Sequence, residues 1–240
     1  MINEAKSLIK QYVRPGADKR FMIFGRGRSG TTLLTNLLDQ VPDLTCDGEV
    51  LHYRVFSPQS FVDRLARSSR TGTYGFKLLS YQLLSVNRMQ NPLALFSQLA
   101  AADVKFIHII RDTFDMTLSH CVAEKTRTFI DRSSQEPGAT SLEIDPAEFA
   151  HHFQRAEFQL AFEQRIMTHF HRLELDYRTD LADAENHQGT VDAICQYLGV
   201  KGAQVTAGTR KVMSSEGGIT VTNLEEIRAY QRNHGQSQVN

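Results

Sequence analysis

The chain has 240 residues, 41% of them hydrophobic, which is enough for one large α/β domain with its own core. Its 27 basic and 27 acidic side chains cancel, which argues against a general nucleic-acid binder but leaves room for a local basic pocket. Cys46, Cys121 and Cys195 are far apart without C-x-x-C spacing, Met1 to Arg20 holds no signal-like apolar run, and nowhere do eighteen apolar residues follow one another. These features argue against a disulfide scaffold, a zinc site and a membrane span, and for a reducing cytoplasm.

Phe21 to Phe24 is a short apolar run ending at Gly25, the pattern of a buried strand. Thr31 to Gln40 places Leu33, Leu34, Leu37 and Leu38 at helical spacing, so the join reads strand, glycine loop, helix. Phe61 to Ser69 predicts a short surface helix, and Tyr74 to Leu79 a second strand. Val104 to Ile110, apolar and β-branched, predicts a central strand. Asp112 then serves as N-cap of a helix through about Lys125. Thr126 to Asp145, with Ser-Ser and Pro-Gly, predicts a loop or lid.

Pro146 to Phe170 predicts a long helix with Phe149, Phe153, Ala156, Leu160, Met167 and Phe170 as its apolar stripe. Leu173 to Tyr177 predicts a strand, and Val191 to Leu198 a short helix stopped by Gly199. Lys201 to Val221 reads as irregular. Asn223 with Glu226 resembles a capping box for a last helix, and 231–240 reads as a frayed tail. Strands alternating with helices predict one domain over 1–240: a parallel sheet flanked by helices, a three-layer sandwich like that of the P-loop nucleoside triphosphate hydrolases.

The strongest signal is Gly25-Arg26-Gly27-Arg28-Ser29-Gly30-Thr31-Thr32 between strand and helix. Glycines let backbone N–H groups turn toward an anion, and a helix start adds unpaired donors and a positive dipole end. Thr31 and Thr32 add hydroxyls. The G-x-x-x-x-G spacing is that of a P-loop, but Thr31 stands where a Walker lysine would reach the β- and γ-phosphates. The cations, Arg26 and Arg28, lie inside the loop. Such a loop suits a single 5'-phosphate better than a triphosphate with its metal, and no metal is expected.

Phe21 to Leu34, FMIFGRGRSGTTLL, resembles the 5'-phosphosulfate loop of sulfotransferases, whose core reads P-[KR]-[ST]-G-[ST]-T. Arg28 falls on the basic position, followed by Ser29, Gly30, Thr31 and Thr32, with Gly27 in place of the proline. The resemblance is strongest to bacterial carbohydrate sulfotransferases. It implies 3'-phosphoadenosine-5'-phosphosulfate (PAPS) as donor, adenosine 3',5'-bisphosphate (PAP) as product, and an acceptor hydroxyl of a carbohydrate or glycolipid. It also assigns Arg111 and Ser119, eight residues apart, to the 3'-phosphate. Taken alone, an arginine at a strand end and a serine on a helix would say little. Thr209-Arg210-Lys211 resembles the C-terminal loop that closes over that phosphate, though the residues read equally as solvated surface. Leu173 to Leu181 resembles the strand and turn after the family's long helix.

Sulfuryl transfer is in-line and loose, so a protein must align donor and acceptor, stabilise the leaving 5'-phosphate and accept a proton. Arg28 and Thr31 suit the phosphate, and Lys77 in GFKLLS is a further cation. Asp47-Gly48-Glu49-Val50-Leu51-His52 resembles the segment whose glutamate is the proposed base of the carbohydrate enzymes. A solvated acidic turn is the alternative. Glu49 is thus the first choice, with a pKa raised by burial, and His52 the second, because cytosolic sulfotransferases use histidine. His151, His152, His169 and His171 read as helix surface or strand end without a metal partner. Two other classes stay open: a P-loop small-molecule kinase, marked by a magnesium requirement, and a non-catalytic PAP-binding protein, marked by tight binding without turnover. The acceptor and the oligomeric state, a homodimer included, are not legible.

Overall fold

Phe21 and Ile23 belong to one apolar cluster and Met22 and Phe24 to another, so the first strand is buried on both faces, as a central parallel strand must be. The computed structural model describes residues 16–127, 140–206 and 219–234. In chain order its first half runs β1 (Lys19–Gly25), α1 (Thr31–Leu38), β2 (Leu44–Glu49), α2 (Pro58–Ser68), β3 (Thr73–Leu79), α3 (Pro92–Ala101), β4 (Val104–Ile110) and α4 (Thr113–Thr126). The second half runs β5 (Thr140–Leu142), α5 (Pro146–Met167), β6 (Arg172–Asp176), α6 (His187–Leu198), β7 (Ile219–Val221) and α7 (Leu224–His234).

The main sheet has five strands in the order β2-β3-β1-β4-β6, and each neighbouring pair is parallel. Leu34, Leu37 and Leu38 of α1 and Val191, Ile194 and Leu198 of α6 cover one face. Val62 and Ala66 of α2, Leu95, Phe96 and Leu99 of α3, and Ile166 and Met167 of α5 cover the other. This is the expected α/β sandwich with a parallel sheet between helical layers. Phe24 meets Phe96 edge-on at 4.9 Å between ring centroids, tying β1 to α3. Gly75 of β3 sits opposite Phe21 in the register, and a Cβ there would lie 2.0 Å from the Phe21 ring. The glycine exists in mid-strand because the aromatic ring of the neighbouring strand occupies its side-chain space.

The chain leaves β1 toward β2 on one side and later crosses to β4 on the other. The strand order therefore reverses at β1, and open α/β sheets bind ligands at the carboxyl end of such a strand. The glycine loop lies there. The three cysteines are buried and unpaired. No helix among the described residues is long and apolar enough to cross a membrane.

Several expectations need correction. Residues 140–142, placed in the loop or lid, form a strand paired with residues 219–221, placed in the irregular stretch; three-residue strands carry too little pattern to be read from sequence. Asn223 does meet Glu226, its side-chain nitrogen donating to Oε2 at 3.3 Å, but it also reaches beyond its own helix. Its side-chain oxygen accepts from the Ile144 N–H at 3.1 Å and its nitrogen donates to the Ile144 carbonyl at 2.8 Å, so it fastens the start of α7 to the segment before α5. Gln231 to His234 belong to α7 rather than to a frayed tail. The long helix ends at Met167, so Phe170 lies beyond it.

Candidate active site: a cradle with a closed floor and an open mouth

The loop turns at Arg28 and Gly30, which adopt φ of 65° and 93°, rather than at Gly25 or Gly27. A Cβ at Gly27 would meet nothing within 4 Å, so a small side chain there would stand in open space. Gly30 is different: a Cβ there would come within 2.7 Å of the Tyr177 ring. Gly30 is also the N-cap of α1 and has no side chain to cap with, so the first-turn amides of α1 keep their capacity for an external anion.

The two loop arginines part company. Arg26 is fully buried. It donates to Thr113 Oγ1 at 3.1 Å, to the Ala156 carbonyl at 3.3 Å and to the Arg111 carbonyl at 2.6 Å, and pairs with Glu163 at 3.9 Å. Glu163, also buried, faces Nε2 of the buried His108 at 3.4 Å. These contacts form a floor beneath the loop, bracing β1 against α4 and α5. Arg26, expected at the nucleotide, turns its side chain inward: its bonds run to the core rather than to the mouth. Ser29 is likewise turned in, its buried hydroxyl donating to the Arg26 carbonyl at 2.7 Å. Thr31 is buried at the first position of α1.

Arg28 goes the other way. Its guanidinium donates to Ser119 Oγ at 3.2 and 3.1 Å. Arg111, at the end of β4, donates to the Arg28 carbonyl at 2.6 Å and lies 4.0 Å from the Tyr177 ring centroid, a cation–π stack. Arg28, Arg111 and Ser119 therefore stand together at one side of the mouth. Burial disfavours the charge on Arg28, and the Arg111 charge disfavours it further; burial also lowers Arg111. Two guanidiniums held together in this way, beside a hydroxyl and uncapped amides, favour an oxyanion.

Across the mouth, Lys77 reaches from the all-buried strand β3 to Thr32 Oγ1 at 3.0 Å and to Glu49 Oε1 at 3.1 Å. Glu49 Oε2 accepts from Tyr81 at 2.6 Å and from Gln82 at 2.8 Å. Burial, followed by the bond to Glu49, pushes the Tyr81 phenol up to about 12, so it stays a donor. Oε2 has both lone-pair directions taken, whereas Oε1 keeps one, and Oε1 is the oxygen tied through Lys77 to the loop helix. The surroundings of Glu49 are thus rich in donors, and its side chain is 30% exposed rather than buried. His52 is exposed. Its Nδ1 contacts the Glu49 carbonyl, and its ring packs edge-on against Tyr53 at 4.7 Å. The structure thus brings Lys77, Glu49 and Thr32 into one chain of contacts and leaves His52 beside it.

Arg210 and Lys211 lie outside the described residues. Tyr81, Gln82, Tyr177 and Glu163 were missed by sequence reasoning. Glu163 had a signal, since Phe149, Ala156 and Glu163 recur every seven residues along α5, and all three are buried. The reading of His152 as bare helix surface also fails, since it faces Glu124 at 3.3 Å across the α4–α5 contact.

No family model matches the chain, and no curated protein matches it. Solved structures do. A sulfotransferase from Alicyclobacillus acidocaldarius aligns over 92% of this chain and 92% of its own, with a TM-score of 0.51 at 16% identity. A mouse sulfotransferase complexed with PAP aligns over 79% of this chain and 61% of its own, with a TM-score of 0.48 at 12% identity. A Mycobacterium tuberculosis sulfotransferase covers 83% of this chain and 73% of its own, with a TM-score of 0.39 at 16% identity. The fold comparison rests on the first of these: a parallel sheet between helical layers, shared over nearly the whole length of both chains, gives this protein the fold of a sulfotransferase.

Proposed function

We propose that the chain transfers a sulfuryl group from PAPS to an acceptor hydroxyl by in-line displacement. The observation that carries the reading is the meeting of Arg28, Arg111 and Ser119 at the open side of a glycine loop whose helix start has no side-chain cap. The leaving 5'-phosphate lies against the loop amides and Arg28, and Arg111 and Ser119 serve the 3'-phosphate. Lys77, bridging Thr32 and Glu49, steadies charge growing on the transferring group. Glu49 Oε1 takes the acceptor proton, and Tyr81 and Gln82 hold its other oxygen in place. The sulfotransferase fold supports this reading, and the resemblance of the loop motif favours a carbohydrate or glycolipid acceptor. The missing Walker lysine argues that transfer proceeds without magnesium.

Transfer of radiolabel from PAPS to sugars, glycolipids, phenols and lipid alcohols tests the activity. Thermal shift without metal tests the donor: PAP is expected to raise the melting temperature more than AMP or ATP does. Equal or better stabilisation by magnesium–ATP would favour a kinase, and tight PAP binding without turnover on any acceptor a sensor.

A further inference from the structure

The face of α4 next to Ser119 carries His120 and, one turn on, Glu124. On α5, His152 stands opposite them. Among the described residues, this trio brings nitrogen and carboxylate ligand atoms all within 4.8 Å of one another. His120 Nε2 lies 3.4 Å from Glu124 Oε1, and His152 Nε2 lies 3.3 Å from Glu124 Oε2. The two imidazole centroids are 4.8 Å apart.

These separations are long for charge-assisted hydrogen bonds, which run about 2.7–2.9 Å. Each is close to the ligand–ligand separation in a metal shell, one ending on each oxygen of the Glu124 carboxylate. Ligands about 2.0–2.1 Å from a zinc ion at tetrahedral angles stand roughly 3.3–3.4 Å apart. His120 and His152 are half-buried, and Glu124 is at the rim, so an ion can enter from solvent.

We propose that His120, Glu124 and His152 form a binding site for a divalent transition-metal ion of the zinc type. Two imidazoles and a carboxylate suit zinc, cobalt or nickel and disfavour magnesium, which takes oxygen ligands. Three protein ligands leave the fourth position to water. The ion joins α4 to α5 one residue from Ser119, fixing the helix that carries one wall of the cradle. The site is separate from the transfer chemistry and does not depend on the activity proposed above.

The test uses untagged full-length protein stripped of metal with a chelator. Titration with cobalt(II) is followed by visible absorption, and zinc binding by calorimetry and thermal shift. The expected result is one equivalent bound, a four-coordinate cobalt spectrum and a higher melting temperature with zinc. His152→Gln and Glu124→Ala should each weaken binding at least about tenfold, since losing even a residue that only orients a ligand costs that much. His169→Gln, far along the chain from the trio, should bind as the parent does. Glu124 is at the surface, so its variant keeps the test open if His152→Gln fails to fold. Absence of saturable binding by the parent overturns the proposal, as does unchanged affinity in a folded Glu124→Ala.

Discussion

The floor and the mouth of the cradle use the same residue types to opposite ends. In the floor, Arg26, Glu163 and His108 are sealed from water; Arg26 and His108 both face Glu163, and Arg26 donates to the carbonyls of Arg111, just past β4, and Ala156 of α5. In the mouth, Arg28 and Arg111 are pressed together, each disfavoured by burial, and Glu49 and Lys77 face each other at the solvent boundary. Two arginines separated by one glycine thus divide into one turned into the core and one turned to the mouth, beside Ser119. What separates them is the direction of the side chain, which the left-handed turn at Arg28 sets. Charge type says little about role; the place where the charge finds its partner says much.

If the mouth carries the chemistry, Glu49→Gln should show the largest effect. Loss of a general base costs about 10²–10⁴-fold in kcat, with PAP affinity nearly unchanged; because Glu49 also pairs with Lys77, a thermal melt checks that the variant is folded. Steady-state kinetics and calorimetry on the same preparation check this. Near-normal kcat in Glu49→Gln together with an inactive His52→Ala would move the base to the imidazole.

The floor predicts a stability effect instead. Arg26→Ala leaves Glu163 buried without its guanidinium, and breaking a buried pair typically costs about 3–5 kcal/mol. Urea denaturation should find that loss, and the double variant Arg26→Met with Glu163→Leu should recover part of it. Unchanged stability in Arg26→Ala, with PAP binding abolished, would make Arg26 a ligand contact and erase the division between floor and mouth.

Arg111→Ala is expected to weaken PAP binding by about 2 kcal/mol or more, the size of one charge-assisted hydrogen bond, and to leave AMP binding nearly unchanged. Because its guanidinium also holds the Arg28 carbonyl, equal losses for both nucleotides in calorimetry would mean that it supports the loop rather than the 3'-phosphate. His52→Ala should have the smallest effect, below about tenfold and mostly in acceptor KM, since its ring contacts a backbone carbonyl rather than the carboxylate.

Sequence patterns gave away the elements with strong periodicity. β4 matches its expected bounds of Val104 to Ile110, and the helix after it begins where Asp112 caps it, accepting from the Asp115 N–H. The helix Pro92 to Ala101 carried signals that went unread: an asparagine N-cap followed by proline. β2 was hidden because its second half, Asp47-Gly48-Glu49, has turn composition. The loop was legible as the join of a buried strand to a helix, but the inward turn of Arg26 and Ser29 was not, since nothing local distinguishes one loop arginine from the next. The partners of Glu49 were illegible for a related reason. Tyr81 and Gln82 lie in a single π-helical turn region after β3, and only the pairing of β2 with β3 brings them to the carboxylate.

Tyr177 fills the space where a side chain on Gly30 would stand, and its ring also receives Arg111. Positions 30 and 177 are therefore bound in inheritance. A lineage that enlarges residue 30 must shrink residue 177, and by doing so removes the aromatic plane on which Arg111 rests. Among descendants of this sequence the three positions should change in concert or stay fixed together. A survey of natural variants should find Gly30 replaced only where the aromatic ring is gone too.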